Sequence, residues 1–482
     1  MGNLRLFITT VVMLTAMAVN GAVSLPHVLG DNMVLQRNSE VELWGNAAAK
    51  AEVTVTVSWD KGKKYAAKSD ASGRWSVKVT TPEAGGPYEI EIKDRDGAVR
   101  LRNVLSGEVW FCSGQSNMEM PMRGFLGQPV AGANEAIAKA NKRVPIRVFS
   151  ADYKADVERK HYDAEIVTEP QQDYNSAWKE NDSECVASTS AVAYYFAKEL
   201  NEALDVPVGV IVSSLGGSKI EPWMSRECAS RFSEIDLKDI KNPVISAPTV
   251  LYNAKVAPFL RYVIRGVIWY QGESNRMGWE RYADYFEQMV GDWRAKWGLG
   301  EIPFYAVEIA PYEYAEKDPE WAARLREAQQ QGADRLKNAG IVCTADIGAA
   351  KCIHPSKKHE VGMRLALLAL HETYGRGGFV YKSPRYESMR VDGRKVMIKT
   401  ENSGVYLLPV NEVLDGFEVA GEDRQFHKAQ ALISGRNGNE IEVWSNEVAE
   451  PKAVRYCFGK NYEGSVWDVG GLPLHPFRTD NW

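Results

Sequence analysis

Apolar and polar residues alternate in short runs along the first hundred positions. Val41-Glu42-Leu43-Trp44-Gly45, Glu52-Val53-Thr54-Val55-Thr56-Val57 and Trp75-Ser76-Val77-Lys78-Val79 have the two-residue period of half-buried strands. Asp60 to Gly62, Asp70 to Gly73 and Asp94 to Gly97 supply turn residues between such runs. Residues 23–105 therefore predict an N-terminal β domain, a small sandwich. The period then changes. Continuous apolar runs, Val109–Cys112, Val208–Val212, Gly266–Tyr270 and Gly340–Thr344, are separated by segments of helical spacing. Ser188 or Thr189 can cap a helix that runs through Tyr195 and Phe196 to Leu204. Tyr282, Phe286, Met289, Val290, Trp293 and Trp297 recur along one helical face, with Gly298 placed to stop it. Such an aromatic stripe reads as core rather than as a sugar platform. A last helix is expected over 356–374, before Gly375. Five strands with helical crossovers predict a parallel α/β/α layer sandwich over 106–375. The β period returns over 376–482, as in Lys395–Lys399 and Glu440–Trp444. The expected fold class is α/β, with β-sandwich-like domains on either side of the parallel sheet.

Residues 1–22 stand apart. Arg5 is followed by a largely apolar stretch from Leu6 to Val19, with Ala16, Ala18, Gly21 and Ala22 as small cleavage positions. The stretch is short for a membrane span, and no later one is long enough. A cleavable signal peptide and a secreted or periplasmic protein are expected. The six cysteines permit disulfides in that compartment, although Cys112 and Cys343 lie in apolar strands and read as buried small hydrophobes. None shows metal-site spacing. The net charge of -5 carries no basic stripe and gives no reason to expect nucleic acid.

The candidate chemistry gathers where apolar runs end. Gly114-Gln115-Ser116-Asn117-Met118 follows Val109–Cys112 and presents a serine. Ser213-Ser214-Leu215-Gly216-Gly217-Ser218 follows Val208–Val212, and Gln271-Gly272-Glu273-Ser274-Asn275 follows Gly266–Tyr270. Ligands of open α/β sheets bind at the carboxyl ends of strands. Ser116 is the candidate nucleophile, although Met118 stands where a G-x-S-x-G elbow has its second glycine. Of the seven histidines, only His354 lies between the final strand and a helix start, which makes it the candidate base. The Ser116 N–H, Gly217 (or Gly216) and Gln271 (or Asn275) are candidate oxyanion donors.

Ser-Gly-Gln-Ser-Asn-Met-Glu-Met-Pro at 113–121, Gly-Gly-Ser-Lys-Ile-Glu-Pro-Trp at 216–223, Trp-Tyr-Gln-Gly-Glu-Ser-Asn at 269–275 and Ile-His-Pro-Ser-Lys-Lys at 353–358 resemble the sialate O-acetylesterase family of SGNH-type hydrolases. So do Asp31–Arg37, Gly416–Asp423 and Pro476–Asp480, so the resemblance covers nearly the whole chain. It implies an SGNH-hydrolase-like catalytic domain and a Ser–His esterase that removes O-acetyl groups from carbohydrates, with no metal and no cofactor. By motif it assigns Ser116 as nucleophile, Gly217 or Gly216 and Gln271 as oxyanion donors, and His354 as base. Acetylated plant polysaccharide is the alternative substrate. A non-catalytic glycan-binding protein would not need Ser116 and His354 to converge. Many relatives carry an aspartate two or three residues before the histidine, where this chain has Cys352 and Lys351. Asp346 is the nearest upstream aspartate and a candidate third member. The expectation is nevertheless a dyad, with a backbone carbonyl near Lys351 or Cys352 accepting from His354 Nδ1.

Overall fold

The structure, a computed structural model, describes residues 23–151, 171–239, 244–315, 320–433, 438, 440–459 and 461–482. The expected signal peptide lies outside them. Its centre is a sheet with strand order Ala339–Val342, Phe304–Val307, Gly266–Tyr270, Ala98–Gly114, Val208–Ser214, Ile146–Ser150 and Trp178–Glu180. Neighbours are parallel except the last, which runs antiparallel to Ile146–Ser150.

Alternate residues of the central strands enter different cores. Phe111, Val267 and Trp269 face the helices Trp279–Trp297 and Trp321–Asp334. Trp110, Cys112, Ile268 and Tyr270 face the helices Ala191–Leu204 and Lys358–Glu372. Strands covered on both faces read as continuous apolar runs, which is why these segments lacked alternation. The aromatic stripe of Trp279–Trp297 is core: Phe111 meets Trp293 at 5.9 Å and Trp297 at 5.2 Å between ring centroids. Gly298 closes that helix in the left-handed region at φ 68°.

Strand Ala98–Gly114 belongs to two layers. Its first half alternates between exposed and buried positions and pairs antiparallel with Gly85–Lys93, while Val34–Gln36 joins it at Leu105–Gly107. From Val104 onward every residue is buried, in the middle of the parallel sheet. The boundary expected near 105 thus falls inside a continuous strand. The buried Glu108 carboxylate reinforces this junction, accepting from Arg37 at 2.5 Å, Arg265 at 2.8 Å and Gln36 at 3.0 Å.

The C-terminal region forms antiparallel sheets around Val396, Ile398, Phe417, Val419, Ile441, Val443 and Tyr456. The first long helix is capped by Ser190, whose hydroxyl accepts from the Ala193 N–H at 3.2 Å, rather than by Ser188 or Thr189. The last helix starts at Lys358, so three residues separate it from His354. Among the described residues the layer has six parallel strands, not five. All six cysteines are free thiols, and Cys112 and Cys343 are fully buried.

Candidate active site

The strand ends converge on a pocket of about 690 Å³, lined by Ser116, Gly216, Gly217, His354 and, between them, Glu119, Phe125, Glu273 and Arg276. Ser116 opens a single-turn helix, Ser116–Glu119, directly off the central strand. Gly114 makes that turn possible. It lies at φ 139°, and a Cβ there would stand 2.1 Å from the Tyr270 carbonyl oxygen. The Gln115 N–H donates to the same oxygen at 2.9 Å, so the Ser116 turn is fastened to the neighbouring strand end.

His354 sits across the pocket, half-buried, with the Phe125 ring edge-on at 5.1 Å. Its Nδ1 donates to the side-chain oxygen of Gln128 at 2.6 Å. A carbonyl oxygen can only accept, so Nδ1 carries the proton and Nε2 is left as the acceptor. This corrects the expected partner: the acceptor is a side-chain amide, not a backbone carbonyl near Lys351 or Cys352. The Cys352 thiol turns to the His354 carbonyl at 3.1 Å. Gln128 sits in a glycine-flanked loop whose Phe125 and Gln128 backbones bond each other. Nothing in that local sequence marks a partner for the histidine. Burial and the nearby Lys358 charge bring the imidazole down to about 4, so it is neutral at ordinary pH.

Asp346 is engaged elsewhere. Both its oxygens bind the Arg364 guanidinium, at 2.8 and 2.7 Å, and Trp467 Nε1 donates to it at 3.1 Å. Burial alone would raise the carboxyl, but the guanidinium outweighs it and holds it below the ordinary range. The Nδ1 position of His354 is taken by Gln128, and among the described residues no hydrogen bond joins Asp346 to the imidazole.

The oxyanion candidates separate in the same way. Gln271 is fully buried, and its amide N–H groups go to the Ser218 carbonyl at 3.0 Å and Asn275 Oδ1 at 2.7 Å. Asn275 gives its own amide to Glu221 at 2.9 Å. Neither side chain lines the pocket. Both brace the turns behind it, which their sequence positions after the strand could not reveal. The Gly216 N–H donates to the Glu119 carboxylate at 2.5 Å. Among the described residues, the N–H groups of Ser116 and Gly217 have no acceptor, and Gly217 takes the left-handed conformation at φ 73°.

The family model for carbohydrate esterases of the sialic acid-specific acetylesterase type matches residues 106–371. The chain belongs to this family. The match spans the central sheet from the middle of its long strand to the last helix, and so includes every residue of the pocket. Family relatives include the mouse sialate O-acetylesterase, 26% identical over 408 residues, covering 73% of this chain and 74% of that protein. The human sialate O-acetylesterase is also 26% identical, over 407 residues, covering 77% and 75%. A solved carbohydrate acetylesterase from Xanthomonas citri is 34% identical, covers 95% of this chain and all of that one, and superposes with a TM-score of 0.85. Family membership makes this protein a carbohydrate esterase. Among the described residues, no helix is long and apolar enough to cross a membrane.

Proposed function

We propose that this protein is an exported sialate O-acetylesterase that works by an SGNH-type Ser–His mechanism without metal or cofactor. The observation that carries the reading is a serine and a histidine on one pocket, with the histidine's Nδ1 proton held by Gln128 and its Nε2 available. His354 Nε2 takes the Ser116 hydroxyl proton as Oγ attacks the acetyl carbonyl. The N–H groups of Ser116 and Gly217 receive the developing oxyanion. The intermediate collapses to acetyl-Ser116 as its bond to the sugar oxygen breaks, and His354 protonates that departing oxygen to give the sugar hydroxyl. Water, deprotonated by His354, then attacks the acetyl carbonyl; the bond to Ser116 Oγ breaks, His354 returns the proton to Oγ, and acetate leaves. Gly217 takes the role ahead of Gly216 because the Gly216 N–H is already given to Glu119.

Arg276 supports an acidic sugar. Its guanidinium lies 3.5 Å from the Tyr314 ring centroid and lines the pocket, where it offers a cation to a sialate carboxylate. Acetylated plant polysaccharide is the second reading; the Xanthomonas relative is described only as a carbohydrate acetylesterase, which fits either sugar. Export rests on residues 1–22. The test is acetate release from O-acetylated sialosides and acetylated xylo-oligosaccharides. Wild-type protein is expected to prefer the sialosides. Ser116→Ala should lose at least about a thousand-fold in kcat with an unchanged melting temperature. A folded Ser116→Ala variant with near-wild-type turnover would end the mechanism.

A further inference from the structure

Behind the pocket lies a buried polar chain that the mechanism above does not use. Lys358, the first residue of the last helix, is fully buried. Its ammonium donates to Asn117 Oδ1 at 2.5 Å. The Asn117 amide nitrogen donates to Glu273 Oε1 at 2.5 Å and to the Ile353 carbonyl at 3.1 Å. Asn117 follows Ser116 and Ile353 precedes His354. One amide therefore links the nucleophile turn, the histidine loop and the turn that carries Glu273.

The polarity of the chain allows only one orientation of that amide. Its oxygen faces a cation and its nitrogen faces a carboxylate and a carbonyl. A flip would set NH₂ against the ammonium and oxygen against the carboxylate. Burying an ammonium is costly unless it is paired, and a methionine would fill the same space. We propose that Lys358 is a positioning residue for ester hydrolysis: it clamps the Asn117 amide and so holds the Ser116 turn and the His354 loop in register. The proposal rests on the Ser–His reading.

The clamp has an electrostatic consequence. Lys358 is faced by Asn117, Glu273, Cys352, the Tyr270 ring and His354; His354 is faced by Gln128, Cys352, Phe125 and Lys358. Burial brings Lys358 down to about 7, with Glu273 and Cys352 opposing, and burial raises Glu273. At the acid pH where His354 titrates, Lys358 is charged and disfavours the imidazolium.

The experiment compares Lys358→Met, which removes donor and charge, with Lys358→Gln, which keeps a donor. Melting temperature and the pH profile of kcat/KM on 4-nitrophenyl acetate are measured for each. Lys358→Met should lower kcat at neutral pH by about thirty-fold or more with little change in KM, and Lys358→Gln by less. Both should move the acid limb of kcat/KM upward by roughly half a unit or more, which loss of packing alone would not do. Should Lys358→Met not fold, Asn117→Ser cuts the bridge while leaving the lysine, and should show the same fall in kcat. Folded variants with wild-type kcat and an unmoved acid limb overturn the clamp. Labelling by phenylmethanesulfonyl fluoride, with mass mapping to Ser116, separates the two ideas. Labelled Ser116 with a normal Lys358→Met variant removes only the clamp; an active Ser116→Ala variant removes both.

Discussion

His354 holds its proton on Nδ1 because Gln128 presents only an acceptor there. A neutral amide orients the ring as a carboxylate would, but gives the imidazolium less support. Gln128→Leu should lower kcat by at least about ten-fold with little change in KM, because the ring loses its tautomer and its angle. Gln128→Glu should retain activity and raise the acid limb, because a carboxylate favours the charged ring. Steady-state kinetics of the two variants check both points; a Leu variant with full kcat would remove Gln128 from the mechanism. The pH dependence follows from the same residue. The folded protein holds His354 at about 4, against an ordinary 6.5, and only the neutral ring accepts a proton. Wild-type kcat/KM should therefore rise through a midpoint near pH 4 and stay flat to neutrality, as a pH–rate profile would show. Between those two values the unfolded chain binds more protons at this position, so acid also lowers stability in that window. None of this was legible locally. Gln128 and His354 are 226 residues apart, and the loop holding Gln128 reads only as a turn with two glycines.

At the scale of elements, the strand ends do the positioning. The Ser116 turn needs Gly114 because the neighbouring strand brings the Tyr270 carbonyl to where a side chain would begin. Gly114→Ala is expected to cost about 3 kcal/mol or more, combining backbone strain with a steric clash. For a chain of 482 residues that is a melting temperature lower by roughly 3 °C or more, with acetate release reduced because Ser116 moves. A variant that melts and turns over like wild type would show that the turn relaxes freely. The strands ending at Gly114, Ser214 and Tyr270 were readable because burial on both faces leaves uninterrupted apolar runs. The cap at Ser190 was missed because Ser188, Thr189 and Ser190 have similar capping chemistry, and only the backbone path selects among them.

At the scale of the molecule, polar residues that do not line the candidate pocket hold its parts together. Asp346 joins Arg364 of the last helix to Trp467 of the C-terminal region, and the buried His475 Nδ1 meets Glu308 beside the central sheet at 2.5 Å. Asp346→Asn should therefore lower the melting temperature by several degrees, because it breaks a buried bidentate pair. It should keep at least about a tenth of the activity, far from the roughly 10⁴-fold loss expected of a triad aspartate. Calorimetry beside acetate release separates these outcomes. The sequence alone determined the α/β layer, the β regions beside it, the family motifs, and Ser116 and His354 as the residues to watch. These follow from local periodicity and from short contiguous motifs. Tertiary structure alone decided that Gln128 orients the histidine, that Gln271, Asn275 and Asp346 are braces, and that the Ser116 and Gly217 N–H groups find no acceptor among the described residues. The reason is physical: a side chain's hydrogen-bond partner is set by which loops the sheet brings together, and those loops are distant in the chain.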